Sequence, residues 1–78
     1  MKIQVVNVKG TGQKIKAIME SRGKTPRDIQ RACGFTTPQA IYGWFKGTRL
    51  PCVDSLVIIA SILDAKLDEL VATDEIEI

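Results

Sequence analysis

Apolar residues along most of the chain recur at three- and four-residue spacing, in segments divided by glycine, proline and threonine. That rhythm gathers side chains on one face of a helix. In GQKIKAIMESRG, Ile15, Ile18 and Met19 form such a face and the basic residues take the other, which predicts a first helix beginning near Gly12 and stopped at Gly23. Thr25 and Pro26 open a second helix, because a threonine hydroxyl can cap an unsatisfied amide and a proline in first position loses no donor. Asp28, three residues after Thr25, makes a variant of a capping box. This helix spans Arg27 to Cys33 with Ile29, Ala32 and Cys33 inward, and Gly34 ends it. The same grammar recurs at once: Thr36 or Thr37 as cap, Pro38 in first position, Gln39 to Phe45 as helix, Gly47 as stop. Thr48 to Leu50 form a loop, since the residue before Pro51 is disfavoured in a helix. In VDSLVIIASILD, Leu56, Ile59, Ala60 and Leu63 trace a core stripe, while Val57, Ile58 and Ile62 make the opposite side apolar. A fourth helix covered on more than one face is expected. Leu67, Leu70 and Val71 give a short fifth turn.

At the ends the period falls to two. Ile3, Val5 and Val8 alternate with polar residues, as do Ile76 and Ile78 with Asp74, Glu75 and Glu77. These segments are short strand candidates. They can pair over the surplus apolar face of the fourth helix, pair between subunits, or remain frayed.

Composition narrows the classes of function. A chain of 78 residues makes one small domain. An apolar share of 45% with 26% charged residues suits a soluble globular protein, whereas 5% aromatic argues against a stacking platform for single-stranded nucleic acid. No apolar run approaches the roughly 20 residues that cross a bilayer, and no secretion signal opens the chain, so a cytoplasmic location is expected without membrane contact. With no histidine and only Cys33 and Cys52, neither a common zinc site nor a nucleophile-base pair can be assembled. The two cysteines read as small apolar side chains. No enzyme activity, cofactor, metal or small-molecule ligand is expected.

The modest net charge of +2 hides two opposed halves. Residues 1–50 carry ten Lys and Arg against Glu20 and Asp28, a net +8, and residues 51–78 sum to −6. Positive charge gathered on one part suits a polyanion, and the acidic remainder limits indiscriminate phosphate binding.

The run from Thr25 to Gly47, followed by TRLPCVDSLVIIASILDAKLDELV, resembles the XRE-type, lambda-repressor-like helix-turn-helix family. The similarity covers roughly Gly12 to Val71, and its most specific parts are TPQAIYGWFKG and LP..DSLVIIASIL...LDEL. It implies an all-α, five-helix DNA-binding domain, here with short β-strands possible at both termini, whose third helix is the recognition helix. The implied organisation is an arm or short strand over 1–10, a helix-turn-helix domain over 11–72 with its motif at about 25–46, and a tail or short strand over 73–78. Three positions depart from the family pattern. Gln30 stands where a small residue is usual, Phe35 lengthens the turn after Gly34, and Gly43 replaces a basic residue.

On a helix opening at Pro38, Ile41 and Trp44 share a face with Phe45 and Ala40, and belong to the core. Gln39, Tyr42, Gly43 and Lys46 recur on the other side. A glutamine in the first turn suits adenine N6 and N7 in the major groove. Thr36 and Thr37 before the helix, Thr48 and Arg49 after it, and Arg27 on the second helix are the candidate phosphate contacts, with Lys14 and Lys16 as further basic positions. The expected partner is double-stranded DNA, the expected activity transcriptional regulation by repression, and the expected assembly a homodimer built on the fourth helix or the terminal segments. The alternative is a protein-interaction module, such as an antitoxin or regulatory subunit, on the same fold.

Overall fold

The computed structural model describes residues 1–78. Chain order is β1 (Lys2–Val6), α1 (Val8–Ser21), α2 (Pro26–Cys33), α3 (Gln39–Lys46), α4 (Val53–Leu63), α5 (Leu67–Leu70) and β2 (Thr73–Glu77). One core takes residues from every helix: Ile15 and Met19, Ile29, Ile41 and Trp44, Ile59 and Leu63, and Leu70. α1 lies against α3, α2 against α4, and α5 closes the end between α1 and α4. No helix is long and apolar enough to cross a membrane.

α1 begins a turn earlier than its apolar spacing predicts, and Val8 is its first residue rather than the end of a strand. Residues 8–10 of the expected arm are therefore helical. Asn7 caps the helix, its Oδ1 accepting from Gly10 N at 2.7 Å. Tertiary ties then hold a stretch whose glycines and β-branched residues are poor helix formers. Fully buried Thr11 accepts from Ala72 N at 3.0 Å through Oγ1, and Asn7 N donates to Ala72 O at 2.8 Å. Gly12 sits against the α3 backbone so closely that a Cβ there would lie 1.7 Å from Trp44 O.

α2 forms for the local reasons its sequence suggests. Thr25 Oγ1 accepts from Asp28 N at 3.3 Å, while Asp28 Oδ2 accepts from Thr25 N at 2.8 Å. The bond from the Thr25 amide, then that from its hydroxyl, holds the exposed Asp28 carboxyl below its ordinary value of 3.8. A depressed carboxylate pKa stabilises the fold above the unfolded value and loses that effect as pH falls through the folded one. Asp28→Asn should therefore lower the melting temperature at pH 7 and leave it unchanged near pH 2, as followed by circular dichroism. Ile29 is fully buried and Cys33 partly so, but Ala32 is exposed, contrary to expectation. A helix of two turns meets the core along a single line, and position 32 lies off it.

α3 starts at Gln39 and not at Pro38, which is its N-cap and accepts from Tyr42 N at 3.1 Å. Neither Thr36 nor Thr37 caps it, and no side chain bonds its first amides. In α4, Ile59 and Leu63 are buried and Leu56, Ala60 and Ile62 line the core's margin. Ile62 is thus a core-side residue, while Val53 and Val57 remain exposed.

The terminal segments pair within the chain as an antiparallel ribbon, with Ile3 opposite Ile76, Gln4 opposite Glu75 and Val5 opposite Asp74. They do not cover α4, since each packs extensively only on the other. One ribbon face carries Ile3, Val5 and Ile76 together with Asp74, which stands opposite Val5. The other carries Lys2, Gln4 and Glu75, with Lys2 paired to Glu75 at 3.7 Å and Thr73 Oγ1 donating to Gln4 Oε1 at 2.9 Å.

Candidate nucleic-acid interface

The site is built from the end of α2, the turn Gly34 to Pro38, one face of α3 and the loop that follows. Gly34 closes α2 in the left-handed region, φ 75°, and the chain then turns Phe35 inward. Its ring meets Trp44 edge-on, centroids 6.0 Å apart. Gln30 brackets the same residue from both sides: its carbonyl accepts from Phe35 N at 3.0 Å, and its Nε2 donates to Phe35 O at 3.3 Å. Two of the departures from the family pattern, Gln30 and Phe35, therefore answer each other. The longer turn supplies a ring for the core, and the glutamine ties down its backbone.

Gly34, Phe35, Thr36, Thr37, Gln39, Ala40 and Arg49 surround a shallow open hollow of about 410 Å³. Four of the sequence-predicted site residues, Thr36, Thr37, Gln39 and Arg49, are thereby brought together. Further along α3, Tyr42 and Lys46 are exposed on the face that also carries Gln39, opposite buried Ile41 and Trp44. The Tyr42 ring stands edge-on to Phe45 at 6.3 Å, and Lys16 Nζ lies 5.8 Å from the Phe45 ring on its α1 side. Arg27 is exposed in the first turn of α2 but lies outside the hollow. Lys14 points elsewhere, donating to Val71 O at 3.2 Å.

Gly43 has a specific packing role. A Cβ on it would stand 3.0 Å from both Cγ and Cδ of Arg49, so the missing side chain lets the arginine stem lie across α3. Thr48 fixes the approach, its amide and hydroxyl both donating to Gly43 O, at 3.0 and 3.1 Å. Its hydroxyl is spent on the loop. Gln30 and Gly43 act through the backbone path of turn and loop, and no periodicity in the sequence signals either.

The chain's ion pairs, Met1 amine with Glu77 and Lys2 with Glu75, both lie on the ribbon. No acidic side chain pairs with Arg27, Lys46 or Arg49, so their charge stays available to an anion. Behind the site, partial burial pushes the Cys33 thiol up, and hydrogen bonding to Ser55 pulls the Cys52 thiol down. Cys52 is exposed at the N-cap position of α4, where its Sγ donates to the Ser55 hydroxyl at 3.4 Å and not to the helix backbone, so it is not the small apolar filler expected. No group of three His, Cys, Asp or Glu side chains is assembled that could hold a metal ion.

The arrangement is similar to two solved structures. One is the restriction-modification controller protein C.AhdI from Aeromonas hydrophila, with a TM-score of 0.71, 19% identity, and 81% of this chain matched to 94% of that one. The other is the clp gene regulator ClgR from C. glutamicum, with a TM-score of 0.72, 15% identity, and 85% of this chain matched to 84% of that one. At such identities the likeness is one of fold. No curated protein sequence matches the chain. Residues 15–70, which take in the α2–turn–α3 unit and every residue of the hydrophobic core, match the helix-turn-helix family HTH_3, and the chain belongs to that family of non-enzymatic DNA-binding domains.

Proposed function

We propose that α3 enters the major groove of double-stranded DNA and that the protein is a sequence-specific transcriptional regulator, a repressor that occludes its operator as a homodimer. The observation that carries this reading is the two-sidedness of α3. Ile41 and Trp44 are buried, while Gln39, Tyr42 and Lys46 face outward beside unpaired Arg49. Gln39, in the first turn, is the base reader, matched to adenine N6 and N7. Arg27, Lys46, Arg49 and the hydroxyls of Thr36 and Thr37 hold phosphates, Tyr42 lies along the groove, and Gly43 lets Arg49 reach from the loop. Thr48 positions that loop. Occlusion needs no surface beyond this one, which favours repression over activation. Two recognition helices about 34 Å apart would supply the specificity a single domain lacks, hence the dimer. The regulatory roles in the names of C.AhdI and ClgR agree with this reading.

Titration of duplex DNA at several salt concentrations tests it. Arg49→Ala should weaken binding to all sequences alike and reduce the slope of log affinity against log salt by about one. Gln39→Ala should cost roughly 1–3 kcal/mol on the preferred site and relax selection at one base position. Absence of duplex binding at low salt, or salt-independent binding, would overturn the proposal. Exposed Val53 and Val57 on α4 favour a second reading, a protein-interaction module, under which both variants retain full function.

A further inference from the structure

The terminal ribbon has a free backbone edge on each strand, and the two edges differ. Asn7 N donates to Ala72 O, and Ile78 N to Met1 O. Bonding alternates along an antiparallel pair, so Ile3 and Val5 are the β1 residues bonded to β2, whereas Lys2, Gln4 and Val6 turn N–H and C=O outward. On β2 the outward residues are Thr73, Glu75 and Glu77. β2 carries Asp74, Glu75 and Glu77 with no cation, while β1 carries the single charge of Lys2.

The ribbon is also incompletely supported. Neither strand packs extensively on a helix, Ile76 is 40% exposed on its apolar face, and a lone two-stranded ribbon is marginal in water. A third and fourth strand would remedy this.

We propose that β1 pairs antiparallel with β1 of a second copy about a two-fold axis at Gln4, giving a four-stranded sheet in the order β2-β1-β1-β2. This names the interface of the homodimer proposed above and rests on that reading. The register about Gln4 is the one that pairs every outward amide of β1. Gln4 then faces Gln4 of the second copy and Lys2 faces its Val6, so no like charges meet. Ile3 comes opposite Val5 of the second copy, which joins the two apolar faces into one. Pairing β2 with itself about Glu75 would instead set Glu75 against its own copy. Pairing β1 with β2 of the next molecule is heterologous and would propagate without closing. In the proposed sheet the acidic strands take both outer edges, where their charge opposes further addition.

Sedimentation of the full chain and disulfide trapping test the interface. The chain should run at twice its 8.6 kDa mass. Gln4→Pro removes an outward donor and the exposed side-chain bond from Thr73 but no bond of the β1–β2 ladder, and should shift the chain to monomer with its helical signal retained, while Ile58→Glu on α4 stays dimeric. In a Cys52→Ser background, Gln4→Cys should cross-link readily on mild oxidation. Its Cα would lie about 5.5 Å from its counterpart, within disulfide range. Lys2→Cys, offset from its own copy, should not cross-link. Trapping decides the matter if Gln4→Pro disturbs the fold. A chain that stays monomeric at high concentration would remove the dimer itself. A dimer split by Ile58→Glu but not by Gln4→Pro, with no Gln4→Cys trapping, would leave the dimer standing and overturn the strand interface. Equal trapping at positions 2 and 4 would overturn the register.

Discussion

A Gly12→Ala chain is expected to be destabilised by more than roughly 3 kcal/mol, the upper end of ordinary overpacking, and a Gly12→Val chain to be unfolded at 25 °C. On an exposed helix the first change would stabilise, because alanine is favoured over glycine by about 1 kcal/mol. The sign reverses here because the new Cβ would fall 1.7 Å from Trp44 O and 2.6 Å from Trp44 C, both backbone atoms of α3 that no rotamer change can clear. α1 and α3 would have to separate, opening Ile15 and Met19 to water along with Ile41 and Trp44. A domain of 78 residues has about 4–12 kcal/mol of stability in all, on the usual scale of 0.05–0.15 kcal/mol per residue. Urea unfolding measures the loss directly, and a Gly12→Ala chain as stable as the parent would mean that α1 does not cross α3 so closely.

Trp44→Ala is expected to cost roughly 3–5 kcal/mol, a large share of the stability of so small a domain. Trp44 is 2% exposed and serves two structures at once, the common core and the turn between α2 and α3. Its ring is the partner of Phe35, so removing it leaves a cavity and also frees the residue that Gln30 holds by its backbone. DNA binding should vanish together with helical signal. Trp44→Phe, which keeps an aromatic contact, should retain both in part. Retention of full helical signal by Trp44→Ala, with binding alone lost, would make Trp44 a contact residue rather than a core one.

These two positions also mark where the sequence was legible. Trp44 announces itself, because Ile41 and Trp44 are three apart on a helix whose stop signal, Gly47, is equally plain. Thr25, Pro26 and Asp28 are read as easily, since every partner of that cap lies within three residues. Gly12 gives no such sign. The helix around it is held by Ala72, sixty residues away, and by the α3 backbone, and neither can be inferred from a local run of Val, Lys, Gly, Thr and Gly. The terminal strands show the same division: alternation identifies Ile3 to Val5 and Asp74 to Ile76 as extended, but not that each is the other's partner. In the candidate site, the outward face of α3 follows from its periodicity. The arginine stem over Gly43 does not, because it depends on the path of a loop fixed by Thr48.

That last contact links two positions that a designer would otherwise treat separately. Any side chain at 43 and the arginine stem at 49 compete for one volume, with 3.0 Å already the closest tolerable approach. A longer residue grafted onto the middle of α3 would displace the loop's cation, and a shorter residue at 49 would leave a bare notch in the helix. Position 43 therefore accepts a side chain most easily when position 49 changes with it, because the arginine stem must give way to any added group.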